Sequence, residues 1–461
     1  MLRHSLMVAV LFLLPCLAVA AEPADPYLWL EEVEGEKALA WAKDLSRKTV
    51  DDLQKVKEYK PIYARTLEIL DAKERIPLPA LYGSEVYNFW QDSQHERGIL
   101  RRTTLESYRT PSPAWETVLD IDAMVKADGV AWVYKGRTCL GPENRRCVVS
   151  LSRGGADATV EREFDMVTST FVEGGFALPE AKSTVAWKDA DTLWVATDFG
   201  PGSLTTSGYP RIVKAWRRGT PLSAAKTLFE ARMDDIGVWP TSVDTPEGRY
   251  NLVVCGPTIF TAKLYLGVGD RLVRLDIPED AEFRSIFQDR LLFSLRSDWK
   301  AGDGSFHEGA LVAVGVDGLL QGSPKPEILF EPSARVSLDS VNTTSDHVLM
   351  TTLDNVRGKL YRLAPAEGGW NREELQLPGL GAVDIRTASE TSDVFFYQYA
   401  DFLTPPSLYL VQSGKSEKVK SLPAFFDATG MRAEQHEATS KDGTKIPYFL
   451  ITPKGFKADG T

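Results

Sequence analysis

Val348-Leu349-Met350, followed one turn later by Lys359-Leu360-Tyr361-Arg362-Leu363, reads as two short apolar strands joined by a hairpin. The pair is not alone. Leu264, Val312, Leu360 and Leu408 stand 48 residues apart, in the matching contexts Lys263-Leu264-Tyr265-Leu266, Ala310-Leu311-Val312-Ala313-Val314, Lys359-Leu360-Tyr361 and Ser407-Leu408-Tyr409-Leu410. Each follows a companion strand: Leu252-Val253-Val254, Leu291-Leu292-Phe293, Val348-Leu349-Met350 and Val394-Phe395-Phe396. Toward the N-terminus the unit returns as Thr192-Leu193-Trp194-Val195 before Ile212-Val213, Trp132-Val133-Tyr134 before Val148-Val149, and Asn88-Phe89-Trp90 before Ile99-Leu100, which makes seven.

One small twisted sheet cannot bury both of its faces until neighbours stack on it, so such units are expected to close into a ring. The fold class predicted is mainly β, a seven-bladed β-propeller over residues 76–426. A pair of β-sandwiches would supply similar strands but no reason for a constant period. The interval from Val149 to Val213 is longer and contains Gly200-Pro201-Gly202 and Ser207-Gly208-Tyr209-Pro210, so an extended loop is expected there. Ahead of the repeat, Leu39, Trp41 and Leu45, then Tyr63, Leu67 and Leu70 after Pro61, follow helical spacing and predict an N-terminal helical segment of two helices within 21–75.

Residues 1–20 carry Arg3, an apolar run from Leu6 to Leu14 and the small-residue exit Ala18-Val19-Ala20, the layout of a cleavable signal peptide. The run is too short to span a bilayer. A periplasmic or secreted protein is expected, with no membrane association after the signal is removed. The formal net charge of -11 and the dispersed basic residues argue against nucleic acid as a partner. In an exported chain, Cys139 and Cys147, which bracket the turn-like Gly141-Pro142-Glu143-Asn144 between strand-like residues, are candidates for a cross-hairpin disulfide. Two reduced, buried thiols are the alternative. Cys255, inside an apolar run, reads as a core residue.

The search for chemistry returns little. No Gly-x-Ser-x-Gly pentapeptide occurs, and Gly200-Pro201-Gly202-Ser203 reads as a propeller connection. His307-Glu308 and His436-Glu437 each lack a second histidine at helical spacing, which excludes a metalloprotease helix. Cysteines are too few for structural zinc, and no phosphate loop is present, so no metal and no cofactor is expected. The acidic groups Asp120-Ile121-Asp122, Glu161-Arg162-Glu163-Phe164-Asp165 and Asp189-Ala190-Asp191 could serve a carboxylate-based glycosidase. With 64 acidic residues in the chain, such groups arise by chance and are expected mostly in solvated turns. No catalytic residue is assigned, and binding residues at the propeller mouth are not identifiable from sequence.

The last stretch departs from the repeat. Gln435 to Lys454 forms two extended runs around Asp442-Gly443, a pair suited to a hairpin turn. It reads as the first strands of a further domain, 427–461, whose remainder is expected to be missing from this chain.

Several stretches together resemble the prolyl oligopeptidase family of serine peptidases. Asp25-Pro26-Tyr27-Leu28-Trp29-Leu30-Glu31 with Ala38-Leu39-Ala40-Trp41 is similar to the family's opening helix, with Leu28 where Arg is common. Tyr87-Asn88-Phe89-Trp90-Gln91-Asp92, Arg101-Arg102-Thr103-Thr104-Leu105, Trp115-Glu116-Thr117-Val118-Leu119-Asp120, Ser152-Arg153-Gly154-Gly155-Ala156-Asp157-Ala158 and Ser207-Gly208-Tyr209-Pro210-Arg211 continue the resemblance. Ser440-Lys441-Asp442-Gly443-Thr444 with Pro447-Tyr448-Phe449 resembles the start of the family's catalytic domain. The resemblance implies a seven-bladed propeller set between an N-terminal helical segment and an α/β-hydrolase domain. That domain would supply the Ser, Asp and His, the propeller would gate access, and short peptides would be cut after proline. The triad lies beyond the position matching Thr461, so none of it transfers to a residue here. The expected partners are short proline-containing peptides and the missing hydrolase domain. The alternative is a stand-alone propeller that binds or interacts without catalysis.

Overall fold

A strand with sheets stacked on both sides buries both of its faces, and it then carries an unbroken apolar run instead of an alternating one. Leu311-Val312-Ala313-Val314 shows the consequence. Leu311 and Ala313 pack with Val348 and Met350 of one neighbouring sheet, whereas Val312 and Val314 pack with Leu252 and Leu264 of the other. Val348-Leu349-Met350 and Phe395-Phe396-Tyr397 divide their side chains between two clusters in the same way. These middle strands are the ones that the apolar pattern makes legible.

The computed structural model describes residues 25–32, 34–71, 74–424, 426–458 and 460, so the expected signal segment and Thr461 lie outside the described residues. The chain forms two compact units, Met1–Ala72 and Lys73–Thr461. In the first, helix α1 spans Glu36–Leu53 and helix α2 spans Tyr59–Leu70, and Trp29 packs edge-on against Trp41 at 6.0 Å. Pro61 falls in the first turn of α2, where a missing N–H costs no helical bond.

The second unit contains the seven sheets: blade 1 over 80–120, blade 2 over 132–181, blade 3 over 184–230, blade 4 over 237–274, blade 5 over 282–330, blade 6 over 336–375 and blade 7 over 382–421. Six are four-stranded antiparallel meanders, and blade 2 adds a fifth strand, Ala177–Ala181, paired to Thr159–Asp165. Seven apolar clusters lie one at each contact between neighbouring blades, and this closes the ring. Blades 1 and 7 share no strand. Their seam is held by Leu81, Val86 and Tyr108 packed on Phe396, Leu408 and Leu410, with the Leu81 N–H donating to Thr387 Oγ1 at 3.0 Å. Tyr108 is fully buried edge-on to Phe396, and its hydroxyl donates to the Pro77 carbonyl at 2.6 Å.

Two details differ from expectation. In blade 2 the strand pair read from sequence is the first and second of the sheet, Trp132–Cys139 and Arg146–Arg153, where the other blades gave the second and third. The third strand, Thr159–Asp165, was hidden because it buries Glu161, Glu163 and Asp165, which are not in a solvated turn. Glu161 accepts from Ser150 and Thr159 at 2.6 Å each, Glu163 holds Arg218 at 2.7 and 3.0 Å, and Asp165 holds Arg145 at 3.0 Å. Each buried carboxylate is therefore partnered, as burial demands. The loop expected before Val213 is present between Ala196 and Ile212, and its Ser203 is buried against Asp198 and the Gly200 carbonyl.

Candidate functional site

The first strand of each blade lines the centre of the ring, so the turns that follow these strands gather at one mouth of the central channel. Most are short. Those of blades 2 and 7 are the longest at six residues each, and that of blade 2, 140–145, is stapled: it lies between Cys139 and Cys147, which are Cα partners across the strand pair and are joined by a disulfide. This stapled loop reaches across the mouth. The Arg249 guanidinium of blade 4 donates to the Gly141 carbonyl at 2.8 Å while gripping Asp244 at 2.7 and 3.0 Å. A Cβ on Gly141 would stand 2.5 Å from Asp244 Oδ2, so a larger residue here would force the Asp244 carboxylate to move. Trp187 of blade 3 donates to the Thr138 carbonyl at 2.9 Å and steadies the base of the loop.

The loop divides the mouth. Asn144 borders a cavity of about 180 Å³ together with Tyr82, Gly83, Thr387 and Glu390, whereas Pro142 borders one of about 590 Å³ with Asp244, Asp346 and Asp393. Blades 1, 2, 4, 6 and 7 thus meet around one six-residue connection. The mouth is acidic, and surrounding protein raises the Glu390 pKa by desolvation and by the nearby Asp244 charge, against the opposing pull of Arg249.

The opposite mouth carries the hairpin Arg432–Thr439 and Lys445–Thr452, a separate two-stranded sheet turned at Gly443 with φ +88. Glu437 pairs with Arg335 at 2.6 Å, Gln435 is bonded to Arg357 and the Asn355 carbonyl, and Phe449 meets Phe402 at 5.1 Å. The hairpin therefore sits against blades 6 and 7. It leaves Ile446, Tyr448 and Leu450 exposed.

Among the described residues the histidines are paired with carboxylates and not with a nucleophile: His95 with Asp92 at 3.0 Å, His307 with Asp298 at 3.6 Å, His347 with Asp393 at 2.8 Å and His436 with Glu434 at 3.2 Å. No group of three His, Cys, Asp or Glu side chains among the described residues is placed to hold a metal ion. Burial, followed by the Asp235 charge, pushes the Cys255 thiol up to about 11, so it is not a nucleophile at neutral pH. No helix of the described residues is long and apolar enough to cross a membrane. Sequence reasoning located the two cysteines but not Asp244, Arg249 or Glu390, because nothing local distinguishes them from other turn residues.

Residues 20–421 match the family model described as the N-terminal β-propeller domain of prolyl oligopeptidase. An uncharacterized peptidase of Sinorhizobium fredii is 37% identical over 452 residues, which is 95% of this chain and 62% of that protein. One from Rickettsia prowazekii is 30% identical over 451 residues, 94% of this chain and 62% of that protein. A solved post-proline cleaving enzyme from Rickettsia typhi superposes with a TM-score of 0.84 at 30% identity, covering 93% of this chain and 65% of that one. Oligopeptidase B from Leishmania major, at 15% identity and a TM-score of 0.64, shares the fold. This chain spans less than two thirds of the length of these relatives. With the ring of seven blades and this match over most of its length, the chain belongs to the prolyl oligopeptidase family and forms its N-terminal β-propeller domain.

Proposed function

We propose that this propeller gates substrate for a serine peptidase that cuts short peptides after proline, with the nucleophile, acid and base supplied by an α/β-hydrolase domain outside residues 1–461. The observation that carries the reading is the asymmetry of the channel. One mouth is bridged by a stapled loop that leaves cavities of about 180 and 590 Å³, the other bears the start of a further sheet. A channel obstructed at one end and roofed by a catalytic domain at the other would admit extended peptides and refuse folded proteins. Acyl transfer would then proceed in a dry site, where a general base and an oxyanion hole act strongly. We further propose that the protein works in the periplasm or outside the cell. The signal-like leader supports this, and so does a disulfide between Cys139 and Cys147.

The test uses a polypeptide extended to the length of the relatives and, beside it, residues 21–461 alone. The extended protein is expected to release amine from a Gly-Pro amide and the shorter one is not. Turnover by residues 21–461 would overturn the division of labour. In the extended protein, replacing 140–145 with a two-residue turn is expected to raise cleavage of a forty-residue peptide relative to a five-residue one. An unchanged ratio would remove the loop from the gate. If no polypeptide longer than 461 residues is made by the source cell, the stand-alone binding module becomes the better reading.

A further inference from the structure

We propose that the cleft at the seam of blades 1 and 7 binds the carboxylate of a short peptide, with Arg101 as the fork that holds it. The inference rests on the peptide reading above. Stretches far apart in sequence converge here: Trp90 and Arg101 on two strands of blade 1, Trp115 ahead of its last strand, and Lys420 on the last strand of blade 7. They enclose a cavity of about 600 Å³, a volume that suits a short peptide and exceeds what a bare ion needs. Pro77, Pro111 and Pro113 supply apolar wall.

The arginine is built as a receptor. Its guanidinium lies over two indoles, 4.5 Å from the centre of Trp90 and 4.4 Å from that of Trp115, and Nε donates to Asn88 Oδ1 at 3.0 Å. Arg75 also lies over the Trp90 ring, at 4.5 Å. Stacking fixes the plane of a guanidinium and leaves its in-plane edge for hydrogen bonds. Among the described residues, Nη1 and Nη2 of Arg101 donate to no protein acceptor, and no carboxylate pairs with it. Burial draws its pKa down to about 10, which leaves it charged at neutral pH.

Asp92 and Glu417 have partners of their own, and the Asp92 charge acts on Arg101 without forming an ion pair with it. Asp92 is engaged by Trp90 Nε1 at 2.8 Å and by the Gln94 and His95 N–H groups at 2.9 Å each, and Glu417 is held by Arg109 at 2.6 Å. Glu74, the other acid in the lining, is exposed. Lys420 adds a second cation without a carboxylate, donating to the Thr110 carbonyl at 3.0 Å above the Tyr108 ring. A fork of two parallel N–H groups matches a pair of coplanar oxygens, and a carboxylate presents such a pair.

The experiment is a fluorescence and calorimetric titration of the full 461-residue chain with N-acetyl-Ala-Pro as the free acid, its C-terminal amide, and inorganic phosphate. The acid is expected to saturate and quench tryptophan emission, with the amide at least tenfold weaker. Arg101→Gln is expected to lose at least tenfold for the acid. Arg101→Lys, which keeps charge without the fork, is expected to lose about as much. Arg386→Gln, a cation away from the cleft, should bind as the parent does. If Arg101→Gln melts early, Lys420→Gln replaces it and is expected to weaken the acid severalfold. Equal binding of acid and amide, unaltered binding by Arg101→Gln, or phosphate binding as tightly as the acid would each overturn the proposal. Since the readout is binding, a failure of proline-specific turnover leaves these outcomes intact and distinguishable.

Discussion

The stapled mouth and the seam of blades 1 and 7 both join parts of the ring that are distant in sequence, yet by opposite means. At the mouth the join is polar: a disulfide anchors the loop in blade 2, and Arg249 binds Asp244 and the Gly141 carbonyl of that loop together. At the seam the contact is mostly apolar, with Tyr108 fully buried against Phe396 and no strand passing between the blades, and the polar bonds that cross it, such as Leu81 N–H to Thr387 Oγ1 and Arg109 to Glu417, flank that apolar centre. The polar join fixes one geometry, because each bond has a direction. The apolar join resists separation through the area it buries, and it tolerates small displacements.

The largest effect is expected at the seam. Tyr108→Ala should cost about 3–5 kcal/mol, the range for removing a large buried ring, read as a lowered urea midpoint. Tyr108→Phe, which loses only the bond to the Pro77 carbonyl, should cost about 1 kcal/mol. If the two variants lose the same amount, the seam is held by the hydroxyl and the contrast fails.

At the mouth, Arg249→Met should cost about 2–4 kcal/mol, since it leaves Asp244, whose side chain is only 19% exposed, without its cation. Adding Asp244→Asn should recover part of the loss. A loss that merely doubles would mean that the pair is not coupled.

Replacing Cys139 and Cys147 together by Ala should cost about 2–3 kcal/mol, as expected for a crosslink between residues eight apart. Combined with Tyr108→Phe, the losses should add, because the sites share no partner. A marked departure from additivity would show the mouth and the seam to be one cooperative structure.

The smallest effect is a pH dependence in blade 2. Desolvation raises the Glu161 pKa against the hydrogen bonds from Ser150 and Thr159. The folded state thus keeps this proton to higher pH than the unfolded chain does. The contribution is most favourable below the unfolded value and is lost as pH rises through the folded one. Glu161→Gln should therefore gain stability relative to the parent between pH 5 and pH 8, measured as paired urea midpoints. A parallel pH profile for the two proteins would contradict it.

Periodicity made the seven blades legible because their middle strands, such as Leu311-Val312-Ala313-Val314, are buried on both faces and so carry dense apolar runs. The third strand of blade 2 escaped for the converse reason: Glu161, Glu163 and Asp165 satisfy buried positions with charge and partners, which a hydrophobic reading takes for surface. Cys139 and Cys147 were visible through their spacing around a turn. Arg101 was visible only as part of a family-like stretch, with no hint that Trp90 and Trp115 would both meet its guanidinium.

The sequence by itself determined the number of blades, the helical preface and the place of the terminal hairpin, because these depend on local periodicity and turn chemistry. Only the tertiary structure decided which mouth is bridged, that Arg249 reaches the loop of blade 2, and that Trp90, Arg101, Trp115 and Lys420 share one cleft. Closing a ring brings together side chains about 310 residues apart, and no local pattern records which ones will meet.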